Sequence, residues 1–205
     1  MIMRNVLMAL VLVTLPSLAT AAGASAGGAM ATLKQKNGEV DKLLRQKTEK
    51  GSPAEQKQKD EIKKLAATLL DYDELAQKSL AGHWDKLTPA QRTEFVTTLR
   101  ELIERNYVKQ LRTNLDYQVQ YKGEEADDAQ ATVTTVVKVK SAGKSTDAEI
   151  IYKMKKAPDG WHVWDVITDE ISLVKNYRTQ FNKIITEQSY DALIKKMKSK
   201  LKDSE

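Results

Sequence analysis

The chain of 205 residues contains no cysteine. Disulfide staples, thiolate metal sites and thiol nucleophiles are therefore excluded, and the fold must stand on packing alone. Histidine is almost as scarce. His83 and His162 are the only two, with no HExxH spacing, so a zinc site lacks ligands and no metal site is predicted. No GxSxG elbow is present. Gly143-Lys144-Ser145-Thr146 has the look of a phosphate-loop end, but Lys138 stands where that loop needs its first glycine.

Long apolar runs are also missing, apart from one near the start. Residues 6–18 are apolar except for Thr14, Pro16 and Ser17, follow a basic Arg4 and precede Ala19-Thr20-Ala21. That pattern predicts a cleavable export signal ending near Ala21, and the run is too short for a spanning helix. An uncleaved anchor or a buried helix is the alternative. Residues 22–205 then form a single domain, exported to the periplasm and without stable membrane insertion. Lys and Arg number 33 against 28 acids, a net charge of +5, with both signs interspersed, so no nucleic-acid partner is called for.

Turning to what is present, the first mature segment after the Ala/Gly/Ser spacer 22–29 places Leu33, Val40, Leu43 and Leu44 among Lys, Gln and Glu, with Gly38 inside. This predicts a weakly amphipathic helix on the outside of the domain. Ser52-Pro53-Ala54-Glu55 reads as a capping box that opens a second helix, with Ile62, Leu65, Ala66, Leu69 and Leu70 on its inner stripe. Asp71 caps a short third helix and Thr88-Pro89-Ala90-Gln91 opens a long fourth. Phe95, Leu99, Leu102, Ile103, Asn106, Tyr107 and Leu111 lie on the inner face of that fourth helix.

From Leu115 the apolar period becomes two. Leu115, Tyr117, Val119 and Tyr121 form one series; Ala131, Val133, Val137 and Val139 a second; Ile150, Tyr152 and Met154 a third. Residues 161–167, after the turn signal Pro158-Asp159-Gly160, are the fourth. Four sequential strands with short links predict an antiparallel meander, polar on one face. Helices on both sides in sequence must cover its apolar face, an α+β arrangement. Glu124-Glu125 and Asp127-Asp128 fall in what reads as a solvated hairpin loop.

The last strand leads into a helical stripe of Ile171, Val174, Tyr177, Phe181 and Ile184, with Asp169 and Glu170 in its first turn. Ser189 caps a final helix rich in lysine (Lys195, Lys196, Lys198, Lys200, Lys202), which suits either a helix C-terminus or a docking patch. Acid–base candidates are sparse. Asp165 on the fourth strand is a strand-end carboxylate or, paired with His162, the acid or base of a small-molecule enzyme. Instead of catalytic groups there is a surplus of large apolar side chains facing the space between sheet and helices, which either fill a core or line a cavity.

Three blocks together resemble the MlaC family of periplasmic phospholipid carriers, the toluene-tolerance proteins. They are Asp71-Tyr72-Asp73-Glu74-Leu75-Ala76 with Gly82-His83-Trp84 and Leu87-Thr88-Pro89-Ala90-Gln91-Arg92; residues 94–111; and Gly160-Trp161-His162-Val163-Trp164-Asp165-Val166 through Asn176-Tyr177-Arg178-Thr179-Gln180-Phe181 to Tyr190-Asp191-Ala192-Leu193. Glu170 departs from the glycine common before Ile171-Ser172. The resemblance implies a carrier, not an enzyme, with phospholipid as cargo and no cofactor. It further implies an apolar pocket between sheet and helices, and partners in an outer-membrane lipoprotein complex and the MCE-domain subunit of an inner-membrane ABC transporter. On that reading Tyr107, Val133, Val137, Ile150 and Tyr152 line the pocket with Trp164, Val166, Tyr177 and Phe181. Arg178 meets the headgroup phosphate or caps the carbonyls of a neighbouring element. A protein-only envelope adaptor using the basic last helix is the remaining alternative.

Overall fold

The computed structural model describes residues 28–111, 117–141 and 144–202. The predicted export signal, Leu115 and most of the loop around Gly143 lie outside the described residues. Helices come first: α1 (Ala29–Leu44), α2 (Pro53–Leu69), α3 (Tyr72–Leu80), a 3₁₀ turn (Ala81–Lys86) and α4 (Pro89–Leu111). Strands β1 (Tyr117–Ala126), β2 (Gln130–Ser141), β3 (Lys144–Ala157), β4 (Gly160–Thr168) and β5 (Ile171–Ser172) follow, then α5 (Leu173–Glu187) and α6 (Tyr190–Lys202). The strands form one antiparallel sheet in sequence order, so the α+β meander is present with a fifth, two-residue strand added.

Helix starts follow their local chemistry. Ser52 Oγ accepts from the Glu55 N–H at 3.1 Å, while the Glu55 carboxylate reaches back to the Gly51 N–H at 2.8 Å. Asp71 caps α3 through the Glu74 N–H at 2.8 Å, and Thr88 and Gln91 satisfy each other's backbone N–H groups. Between α2 and α3 the chain runs along β4, where the Asp71 N–H donates to the Val163 carbonyl at 2.8 Å.

Helix α1 is not on the outside. Its Ala29, Leu33, Val40 and Leu44 recur at helical spacing and are buried in the same core as Tyr117, Val119, Val133 and Val137 of the sheet. The charged residues that gave it a peripheral look all lie on the other faces. Its first turn is held by Glu124, whose two carboxylate oxygens accept from the Ala29 and Met30 N–H groups at 3.0 and 3.3 Å. Glu124 belongs to β1 and is not a solvated loop acid; the strands run through residues assigned to the loop, and the tight turn is at 127–129. A carboxylate on a helix N-terminus contributes roughly 0.3–1 kcal/mol, up to about 2 when partly buried. Leu33→Ala is therefore expected to destabilise the protein by about 2–5 kcal/mol in denaturant unfolding. A peripheral helix would lose less than about 0.5.

The strand-to-helix passage also differs from the sequence reading. Asp169 and Glu170 take left-handed φ values of 47° and 67°, which makes them the two-residue turn of a small β4–β5 hairpin instead of a helical first turn. Ile171 is consequently on β5 and 48% exposed, outside the helical stripe. The helix begins at Leu173.

Two apolar clusters result. Beneath the sheet, α1, α2 and the end of α4 cover β1 to β4. Beside it, α3, α4, α5 and α6 enclose Leu75, Phe95, Leu99, Val174, Phe181 and Leu193. Phe181 stacks on Tyr177 (ring centroids 5.1 Å apart, planes 7° apart) and meets the Phe95 ring edge-on at 5.5 Å.

Lys155 ties α3 to the sheet through Asp71 and Glu74, each at 2.8 Å. Burial pushes the Glu74 carboxyl up, but hydrogen bonds and charge from Lys155 and Lys78 outweigh it and leave the group below its ordinary value. Burial likewise pulls Lys155 down, and Asp71 and Glu74 outweigh it and raise it. The Glu74 contribution is present above the unfolded carboxyl value near 4.3 and is lost as pH falls through the lowered folded one. The Lys155 contribution is present below about 10.4 and is lost as pH rises through the raised folded value. Thermal unfolding of Glu74→Gln is expected to show a shallower fall on acidification than the wild type; an identical acid limb would contradict the linkage.

Candidate functional site

Sheet parity decides which side chains face the helices. Val119 pairs with Val137, Val133 with Tyr152, and Tyr152 with Val166, so these residues share one face. A bulge at Trp164 then changes the count. Val163 and Val166 both stay with the cluster under the sheet, while Trp164 turns to the helical cluster with Lys78 Nζ 4.6 Å from its ring centroid.

Of the residues proposed from sequence, Tyr107, Val133, Val137, Ile150, Tyr152 and Val166 are thus brought together under the sheet. Trp164, Tyr177 and Phe181 belong to the other cluster. Val133 and Val137 have no accessible surface and Ile150 and Tyr152 almost none, which makes them the packed floor of the layer.

Tyr107 is different. Burial pushes its phenol well above the ordinary tyrosine value, with Tyr117 adding to the effect. Yet Tyr107 keeps accessible surface, as do Leu65, Leu70, Tyr121 and Val166 packed against the same cluster. These side chains lie in the layer between the sheet and α1, α2 and α4.

Its polar furniture is sparse. Asn37 on α1 donates to the Tyr121 hydroxyl at 2.8 Å, and the buried Asn37 Oδ1 and Tyr117 hydroxyl have no partner among the described residues. Sequence reasoning did not single out Asn37. Its signal was a polar residue at an inward helical position, four after Leu33.

A second space lies among α4, α5 and α6. Tyr177 and Phe181 face this cavity of about 220 Å³, and burial pushes the Tyr177 phenol to about 12. Arg178, one residue on, points elsewhere. It lines an open groove with His83, Lys86 and Lys183, and its Nε donates to the Lys78 carbonyl at 2.9 Å in the last turn of α3. The carbonyl-capping alternative is therefore the contact observed.

Asp165 and His162, the acid–base candidates of the enzyme alternative, are engaged with different partners. Asp165 Oδ2 accepts from the Ser172 hydroxyl at 2.6 Å and Oδ1 from the Val174 N–H at 3.0 Å, so both oxygens serve the start of α5. Ser172 Oγ in turn accepts from the Lys175 N–H. His162 is engaged with Asp159 at 2.9 Å. Among the described residues no cluster of His, Asp and Glu suits a metal ion, and no helix is long and apolar enough to cross a membrane.

The family model for MlaC protein matches residues 34–199. The chain belongs to the MlaC family. A solved structure with the same fold is that of the phospholipid-binding protein from Ralstonia solanacearum, determined in complex with a phospholipid. It is 22% identical, covers 86% of this chain and 98% of its own, and superposes with a TM-score of 0.71. No curated protein matches the chain. The MlaC-family protein described here shares that fold.

Proposed function

We propose that this MlaC-family protein is a periplasmic phospholipid carrier and that the acyl chains of its cargo occupy a chamber between the sheet and α2 and α4. The observation that carries the reading is the set of partly exposed apolar side chains, Leu65, Leu70, Tyr107, Tyr121 and Val166, packed against the buried sheet-side cluster. The unpaired Tyr117 hydroxyl supports it, because a buried donor without a partner costs about 1–3 kcal/mol and an ester carbonyl would satisfy it. The phospholipid bound by the Ralstonia protein of the same fold is consistent with this cargo.

Apolar walls suit a carrier on energetic grounds. Each methylene is worth about 0.8 kcal/mol against water, so two chains of about 16 carbons represent roughly 25 kcal/mol. A bilayer offers nearly the same, and a chamber that merely matches it can release what it takes up. In the fuller reading the protein travels between an outer-membrane lipoprotein complex and the MCE-domain subunit of an inner-membrane ABC transporter. Incubating protein loaded with labelled phospholipid with that purified subunit tests this step. Label is expected to appear on the subunit, and its retention on the carrier under all conditions would contradict the shuttle.

A further inference from the structure

The open groove beside Arg178 runs between the corner after α3 and the exposed face of α5 and holds about 680 Å³. Gly82, His83 and Lys86 form one wall, and Arg178, Asn182 and Lys183 the other. Four of these six residues are basic, and among the described residues no carboxylate lines the groove. The acids nearest in sequence do not neutralise it. Asp85 is outside the lining, and Glu187 reaches Lys183 only at 3.9 Å, with side-chain exposures of 57% and 71%. An exposed pair of that kind contributes little. Leu201, near the end of α6, lies against Arg105 on α4 rather than beside this groove.

Two of the basic groups are held in place. Arg178 uses its Nε on the Lys78 carbonyl, which leaves the two terminal guanidinium nitrogens to the groove, and His83 Nε2 is 2.8 Å from Asn182 Oδ1. Lys86 and Lys183 are exposed arms. The floor between them is bare. A side chain at Gly82 would meet nothing within 4 Å, so packing inside the protein does not demand glycine there, and the position lets another chain lie close. Ala81 beside it takes a left-handed φ of 47°, a strained conformation of the kind that gathers at binding sites.

A cationic groove complements an acidic partner, and its shape selects which kind. A flat bilayer does not enter a concave surface, and the groove's one large apolar residue, Leu80, is only 2% exposed and offers nothing to insert among lipids. An extended chain fits. From Arg178 to Lys183 the helix rises about 7.5 Å, close to the roughly 6.8 Å between side chains on the same side of a strand. We propose that this groove docks an acidic segment of a partner protein, lying extended over Gly82 with carboxylates two residues apart directed at Arg178 and Lys183. The attraction is screened by salt. It does not depend on lipid in the interior.

Fluorescence anisotropy of the purified full-length mature protein with a labelled octapeptide alternating glutamate and alanine tests the site. Saturable binding of one peptide per chain is expected at about 20 mM salt, weaker by at least about tenfold at about 150 mM. Lys86→Glu and Lys183→Glu should each weaken it at least about tenfold. Gly82→Leu, which occupies the floor without meeting a neighbour, should do the same at unchanged Tm, whereas diffuse attraction to a basic surface would not respond to it. Lys195→Glu, the same charge change on α6, should leave binding unchanged. Absence of peptide binding, equal losses in Lys195→Glu and Lys86→Glu, or full binding in Gly82→Leu would overturn the proposal. If Gly82→Leu does not fold, the three lysine variants decide alone. Vesicles of phosphatidylglycerol and phosphatidylcholine that carry the protein through Lys86 and Lys183, with the peptide unbound, would also overturn it, since the partner would then be a membrane. Protein stripped of lipid should bind the peptide as well as loaded protein does, so failure of the carrier reading would leave this site standing.

Discussion

Asp165→Ala is expected to cost about 3 kcal/mol of stability. The buried carboxylate accepts from the Ser172 hydroxyl and the Val174 N–H, and its removal strands both donors at about 1–3 kcal/mol each, less what relaxation recovers. For a chain of this size 1 kcal/mol shifts Tm by about 2–4 °C, so a fall of roughly 6–12 °C is expected in thermal unfolding. Asp165→Asn keeps an acceptor and should lose less. An unchanged Tm in Asp165→Ala would show that the carboxylate does not hold the β4–α5 junction, and would reopen an acid–base role for it.

Features set by near neighbours in the chain were legible in the sequence. Ser52, Asp71 and Thr88 each stand within three residues of the N–H they cap, so composition alone announces them. Period-two runs marked β1 to β4 for the same reason. Glu124 looked like a solvated acid because its partner, the first turn of α1, lies 95 residues away. Asp169 and Glu170 adopt left-handed φ against their own preference, so the pattern there favoured a helix start over a hairpin. The types of residue in the candidate site were readable. Their division into two clusters was not, because it depends on the bulge that turns Trp164 away from its neighbours and on how α5 lies against α4 and α6.

Val166→Trp is the variant expected to affect cargo most. Val166 pairs with Tyr152, belongs to the sheet-side cluster and retains accessible surface, so a larger side chain has space to enter. Displacing about three methylenes of a bound chain at about 0.8 kcal/mol each weakens its hold roughly fiftyfold. Because the ring enters existing space, the cost to folding should stay below the roughly 1–3 kcal/mol of overpacking at a filled position. Val137→Trp provides the contrast, since Val137 has no accessible surface and its replacement should show that full penalty. Equal lipid content in Val166→Trp and wild type, at equal folded fraction, would place the acyl chains somewhere else.

The most direct measurement is mass spectrometry of an organic-solvent extract of the mature protein purified without detergent from its native envelope. A chamber that shelters hydrocarbon predicts diacyl phospholipid at about one molecule per chain, falling sharply in Val166→Trp. An extract free of phospholipid, from protein that is folded by circular dichroism, would contradict it.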